Sequence, residues 1–156
     1  MDKKDNPPWI REAGPEDISL VTALLARLYK GYDPGLLDQE IRWVLDNPDN
    51  SFLLAFWENE AVGIAHGSIR TDYVEAAGRG RTGYLEALYV DPAFRRRGIG
   101  QSLVSALEKW ARSKGASLLA SDSLIENQAS YHFHLGAGFT EKSRTIHYIK
   151  ELEADD

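Results

Sequence analysis

The stretch Phe94–Leu103, FRRRGIGQSL, carries the sharpest chemical signal in the chain. Arg95, Arg96 and Arg97 run directly into Gly98 and Gly100, and a helical pattern follows. A helix N-terminus presents backbone N–H groups with no partner inside the helix, and the helix dipole adds partial positive charge there. Glycine removes the side chains that hold an anion away from the backbone. Arginine adds charge and donors. The order strand, arginines, Gly-x-Gly, helix is therefore a seat for a pyrophosphate. A bare helix start with glycines for close packing is the plain alternative, but three adjacent arginines without a counter-charge repel one another. A Walker loop is excluded because no Gly-Lys-Ser/Thr follows. A dinucleotide fingerprint is excluded because position 103 is Leu and the motif lies in the second half of the chain.

Other chemistries are removed by composition. The chain has no cysteine, so thiolate catalysis, disulfides and cysteine-ligated metals are out. Its four histidines, His66, His132, His134 and His147, make no zinc-protease motif, and no metal site is expected. The net charge of -6 disfavours broad nucleic-acid binding. A small basic pocket in an acidic protein fits an enzyme with one anionic and one cationic substrate, although an acidic surface also simply aids solubility. No apolar run is long enough for a membrane span, and the start MDKKDNPPW lacks the apolar core of a signal peptide. A cytoplasmic protein is the expectation.

The elements that must position the loop follow from periodicity and punctuation. With 156 residues, 43% hydrophobic and 27% charged, the chain suits one domain spanning 1–156, with flexible ends at 1–8 and 151–156. Strands are expected at Trp9–Ala13, Ser51–Trp57, Ala61–Tyr73, Thr82–Val90, Ser117–Ser121 and Phe139–Lys150. Helices are expected from about Glu16 to the break at Gly31 and Pro34, from Leu36 to Leu45, after Gly98, and from Glu126 to Leu135. In the helix after Gly98, Ile99, Leu103, Leu107, Trp110 and Ala111 fall on one side. The segment Glu75–Arg81 reads as a loop. The fold class is α/β, or α+β, with mixed strands.

The loop Arg95-Arg96-Arg97-Gly98-Ile99-Gly100 resembles the Arg/Gln-x-x-Gly-x-Gly/Ala loop of the GCN5-related N-acetyltransferases. YLEALYVDPAFRRRGIG resembles that family's central strand running into its loop. Glu126-Asn127 stands at the family's spacing before Phe139 of LGAGF. The likeness covers about residues 9–150. It implies a mixed, mostly antiparallel central sheet, splayed in the middle and flanked by helices, with acetyl-CoA as co-substrate and no metal. It implies that main-chain groups of Leu88, Tyr89 and Val90 bind the pantetheine arm. The loop residues Arg95, Arg96, Arg97, Gly98, Ile99, Gly100, Gln101 and Ser102 would hold the pyrophosphate, with backbone amides from Arg97 to Ser102. Asn127 would touch pantetheine, cap a helix, or do both. Many members carry a tyrosine near the CoA sulfur where this chain has His134, which either donates a proton to the departing thiolate or packs against Phe139.

A narrower resemblance, to the aminoglycoside 6'-N-acetyltransferases, rests on SIRTDYV (68–74), YLEALYV (84–90), ASDSLIEN (120–127) and SYHFHLGAGF (130–139). It places Glu86, Asp122 and Tyr73 in the acceptor site. A protonated amine cannot attack a thioester, and a carboxylate both binds the ammonium and accepts its proton. Glu86 is thus the expected base, pointing the same way as Leu88; a salt bridge is the weaker alternative for it. For Asp122 an N-cap is a live rival. Two departures stand out. Tyr29, with Tyr32 nearby, replaces an aromatic that is often Trp. Ser143 stands where an acidic residue is common, with Glu141 two positions earlier. The expected function is acetyl transfer to an amine of a cationic small molecule, best an aminoglycoside 6'-amine, with a homodimer formed through the C-terminal strands. A polyamine or a protein or peptide amine as acceptor, and a non-catalytic acyl-CoA or drug binder, are the alternatives.

Overall fold

The computed structural model describes residues 7–155. The expected flexible ends lie partly outside these residues, at 1–6 and 156. The chain divides into two compact units, one up to Asp122 and one from Ser123.

The first unit carries a five-stranded sheet in the order β1-β2-β3-β4-β5. Its strands are β1 (Trp9–Glu12), β2 (Asn50–Trp57), β3 (Glu60–Arg70), β4 (Thr82–Val90) and β5 (Leu119–Ser121). The first four pair antiparallel; β4 and β5 pair parallel. Its helices are α1 (Ile18–Leu28), α2 (Pro34–Asp46) and α3 (Ile99–Ser113). Pro34 opens α2 rather than ending the helix before it. Asp33 caps that helix by accepting from the Leu36 amide, and proline is well placed at a first helical position because its missing N–H would have no partner there.

Alternation along β3 decides what each sheet face meets. Phe52, Leu54, Phe56 and Ile64 pack with Val21, Leu24 and Leu25 of α1 and Leu37, Ile41 and Val44 of α2. The opposite face is stripped down for α3. A Cβ at Gly63 would meet Leu103 and Ile99, one at Gly67 would overlap Leu107, and one at Gly83 would stand 2.8 Å from Ala111 Cβ and 3.2 Å from the Leu118 carbonyl. The apolar side of α3 read from its sequence is buried throughout: Ile99, Leu103, Leu107, Trp110 and Ala111.

The second unit holds α4 (Gln128–Gly136), which Asn127 caps by accepting from the Ser130 amide. The strand expected over Phe139–Lys150 is absent: residues 140–155 form no regular element. Ile146, Tyr148, Ile149 and Leu152 expose 74–95% of their surface. Strand-forming residues need a ladder partner to close their backbone hydrogen bonds, and the described residues supply none here.

Gly83→Ala is expected to lower stability by about 1–3 kcal/mol, because neither the α3 backbone nor the Leu118 carbonyl can yield to the added methyl. A fall in the thermal midpoint measures it; a midpoint equal to wild type shows that α3 has room to move.

Candidate functional site

The loop between β4 and α3 sets where α3 begins. Asp91 ends β4, its carboxylate accepts from the Ala93 amide, and a single 3-10 turn (Pro92–Phe94) follows. Arg95 turns back to donate to the Val90 carbonyl, 3.0 Å away. Arg96 takes a left-handed backbone with φ 64°. The Arg97 guanidinium lies over the Trp57 and Phe94 rings, at 4.8 and 5.0 Å. Arg95 and Arg97 thus hold their guanidinium groups on different partners, the Val90 carbonyl and the Trp57 and Phe94 rings.

Gly98 then starts α3 from φ 77°, a conformation that side chains resist. No side chain caps the helix. Nothing lies within 4 Å of where a Gly98 Cβ would stand. The amides of Ile99, Gly100 and Gln101 have no partner within a helix by geometry. The Ser102 amide does: it donates to the Gly98 carbonyl at 3.0 Å, so it closes the first turn instead of joining the expected seat. Open amides, a helix dipole and an empty approach over Gly98 fit a pyrophosphate.

Beside this loop, β4 loses its neighbour. Its ladder with β5 covers Gly83, Tyr84 and Leu85 and stops at Ser121, so Ala87–Val90 pair with β3 only. Tyr89 also buries its side chain in the α1–α2 core, as plain strand packing predicts.

A bulge sits at the same place. His66 pairs with Ala87 and Gly67 with Leu85, so Glu86 is the extra residue of β4. The insertion shifts the alternation by one. Leu88 pairs with Ala65, on the face that meets α3, whereas Glu86 contacts Ser68 and Arg70, on the opposite face. The expectation that Glu86 and Leu88 point the same way therefore fails, because a period of two does not survive an inserted residue.

Glu86 is held by three donors. Ser68 Oγ donates to Oε1 at 2.6 Å, Arg70 Nε to Oε1 at 3.0 Å and Arg70 Nη2 to Oε2 at 2.8 Å. Burial pushes this carboxyl up, but the hydrogen bonds from Arg70 and Ser68 and the charge of Arg70 outweigh it, so its pKa lies below the ordinary value. The salt-bridge alternative for Glu86 is what the structure contains. The Arg70 guanidinium also stacks on the Tyr84 ring, 3.4 Å from its centre, and the Tyr84 hydroxyl donates to Asp122 in a very short hydrogen bond. Burial, and then Asp122, push the Tyr84 phenol up. Asp122 serves no N-cap here; it follows β5 directly and anchors Tyr84.

The sequence reading did not single out Arg70, Ser68, Tyr84, His66 or Glu40. The first three lie inside the strings SIRTDYV and YLEALYV, but only the β3–β4 register shows that they converge. His66 Nε2 lies 2.9 Å from Asn50 Oδ1, and burial holds its ring pKa down against the opposing pull of Glu86 and Glu40. Tyr29 ends α1; burial, then Glu40 and Glu86, raise its phenol pKa. Tyr32 donates to Glu40 at 2.6 Å. Tyr73 is exposed in the loop after β3.

In the second unit, His134 Nδ1 is 2.7 Å from the Ser130 carbonyl, and its ring meets Phe139 edge-on at 5.1 Å. A carbonyl only accepts, so Nδ1 carries a proton. In the neutral ring Nε2 is then an acceptor.

Comparison with known proteins agrees with this geometry. The family model "Acetyltransferase (GNAT) family" matches residues 18–139. The aminoglycoside N(6')-acetyltransferase type 1 of Stenotrophomonas maltophilia is 33% identical over 147 residues, covering 94% of this chain and 95% of that protein. The enzyme of the same name from Salmonella enteritidis is 33% identical over 143 residues, covering 90% and 97%. The structure of AAC(6')-Iy in complex with the bisubstrate analog CoA-S-monomethyl-acetylneamine superimposes with a TM-score of 0.90 at 29% identity, covering 94% of this chain and 100% of that one. That of AAC(6')-Ih from Acinetobacter baumannii gives 0.86 at 28%, covering 94% and 99%. With an open five-stranded sheet, a strand that parts from its neighbour and an uncapped glycine start to α3, this chain belongs to the GNAT acetyltransferase family.

Proposed function

We propose that this acetyltransferase moves the acetyl group of acetyl-CoA to the 6'-amine of an aminoglycoside, within a ternary complex. The observation that carries the reading is the pair of carboxylates, Glu86 and Asp122, set where β4 parts from β5 and one short loop away from the α3 N-terminus. It is supported by the similarity to aminoglycoside N(6')-acetyltransferases and by the bisubstrate analog held by AAC(6')-Iy.

Acetyl-CoA supplies an activated acetyl thioester. The amides of Ile99, Gly100 and Gln101 hold its pyrophosphate, with the Arg95–Arg97 run adding positive charge. Backbone groups of Leu88, Tyr89 and Val90, no longer engaged by β5, take the pantetheine amides, and Asn127 adds a polar contact besides its cap. Glu86 and Asp122 draw the cationic acceptor. Tyr29 and Tyr73 give it flat surfaces. Glu86, directly or through a water, takes the proton that the attacking ammonium must lose. His134 donates a proton to the leaving sulfur. No covalent enzyme intermediate is needed, and the chain has no cysteine to form one.

Two copies associate through their C-terminal segments. Ile146, Tyr148, Ile149 and Leu152 form an apolar run too exposed to be left in water. No helix among the described residues is long and apolar enough to cross a membrane, and the proposed location is the cytoplasm.

A thiol-release assay with acetyl-CoA and kanamycin, tobramycin, spermidine or a peptide amine tests the acceptor, and NMR of the product locates the acetyl group. Turnover confined to spermidine or peptide refutes the aminoglycoside reading and leaves the family intact. Gly100→Val is expected to raise KM for acetyl-CoA about tenfold or more, since a branched side chain would crowd the amide seat; an unchanged KM removes the loop from cofactor binding. Glu86→Gln is expected to lower kcat/KM by about 10²-fold near neutral pH. Glu86 is ionised from below its ordinary pKa upward, so wild type keeps its base throughout, while the acceptor amine sheds its own proton as pH rises. The defect should therefore shrink toward high pH in a kcat/KM profile, and a defect that stays constant assigns Glu86 to binding alone. Light scattering should give twice the 17.5 kDa chain mass, and Ile146→Lys with Ile149→Lys should return it to one chain; an unchanged dimer places the interface elsewhere.

A further inference from the structure

We propose that Arg70 determines acceptor specificity: it stands on Glu86 as a built-in cation that an incoming ammonium must displace, so that the site favours acceptors carrying several positive charges. The inference rests on the reading of Glu86 and Asp122 as the acceptor site.

The geometry is that of an occupied site. An ionised carboxylate offers about four acceptor positions, and Arg70 and Ser68 fill three of them on Glu86. The two-pronged contact is the arrangement in which arginine pairs best with a carboxylate. Stacking on Tyr84 holds the guanidinium plane in place, and Tyr84 is in turn fixed by its hydroxyl on Asp122. One arginine thus joins both carboxylates of the site. Glu86, Asp122 and Arg70 together carry a single net negative charge, and Glu86 itself is neutralised.

A lone ammonium gains little here. It meets a carboxylate already paired with a stronger, pre-positioned donor set. A polycation differs, because one ammonium can settle on Asp122, whose charge no arginine pairs directly, while a second competes for Glu86. Arg70 is able to leave. Its side chain is 42% exposed while that of Glu86 is 25% exposed, so the guanidinium has water to move into and the carboxylate stays covered for the acceptor. Other arginines of the first unit are held by different carboxylates. Arg27 is tied to Asp91, Arg81 to Asp49 and the Lys114 carbonyl, and Arg11 to Asp17. The sequence places Arg70 two residues after Ser68 so that both fall on the Glu86 face of β3, with Ile69 turned away between them.

The test compares wild type with Arg70→Gln, which keeps hydrogen-bonding capacity without charge, and Arg70→Lys, which keeps the charge. Calorimetry in the presence of CoA gives Kd for neamine and for a monoamine, cyclohexylmethylamine. The ratio of monoamine Kd to neamine Kd is expected to fall about tenfold or more in Arg70→Gln, because the monoamine then reaches an unpaired Glu86, and to stay within about threefold of wild type in Arg70→Lys. Should Arg70→Gln melt early, Arg70→Met, which keeps a stem against Tyr84, is read by the same ratio. A ratio unchanged in the neutral variants overturns the proposal and leaves Arg70 as a support for Glu86. Because the readout is binding, it is separate from turnover: an enzyme that acetylates no aminoglycoside refutes the proposed acceptor, and the Kd ratio still decides the role of Arg70.

Discussion

The structure depends on how far β4 keeps its two neighbours. Pairing with β5 is lost after Leu85, and at the next residue the ladder with β3 takes in the extra Glu86. Both irregularities follow from one constraint. A strand paired on both sides has no backbone group to spare for a ligand and no freedom to re-aim a side chain. Parting from β5 frees main-chain groups between Glu86 and Tyr89, while the Val90 carbonyl accepts from Arg95. The bulge turns Glu86 to the face carrying Ser68 and Arg70, while Leu88 remains on the face toward α3.

The helix that follows must then be brought close. Glycines at 63, 67 and 83 clear the sheet face under α3, and Leu103, Leu107 and Ala111 occupy the space they leave. That contact fixes where the helix begins, and hence where its open amides stand. Gly98 lets the chain enter the helix with nothing above the first turn. The packing of α3 and the placement of the uncapped amides at its start are two consequences of the same short approach.

Charge around Glu86 is balanced more closely than the net charge of -6 suggests. Arg70 neutralises Glu86, Ser68 supplies a further donor, and Tyr84 ties the cluster to Asp122. The result is a pair of partly covered carboxylates, each with a defined partner. Such a site is organised before any ligand arrives, which limits the reorganisation that binding requires.

How much of this was legible in the sequence differs by element, for reasons of range. The loop at 95–100, the buried side of α3, the Asn127 cap and the hairpin of β2 and β3 are set by neighbours in sequence: periodicity, glycine and proline punctuation, and a side chain reaching its own helix. Residues 139–150 were misread because their pattern is that of a strand, yet a strand needs a partner that local sequence cannot supply. Pro34 was misread because proline marks helix starts and stops alike. For the site, the sequence named Glu86 and Asp122 but gave Glu86 the wrong direction and missed Arg70. A single inserted residue in β4 reverses the alternation, and nothing in YLEALYV marks which residue is the extra one. Side-chain type and local spacing by themselves marked the glycine start of α3, and the resemblance of that loop to a known acetyltransferase family agrees with the family that the comparisons show. Only the register between β3 and β4, a contact between residues 16 to 18 positions apart, decided that Arg70 stands on Glu86.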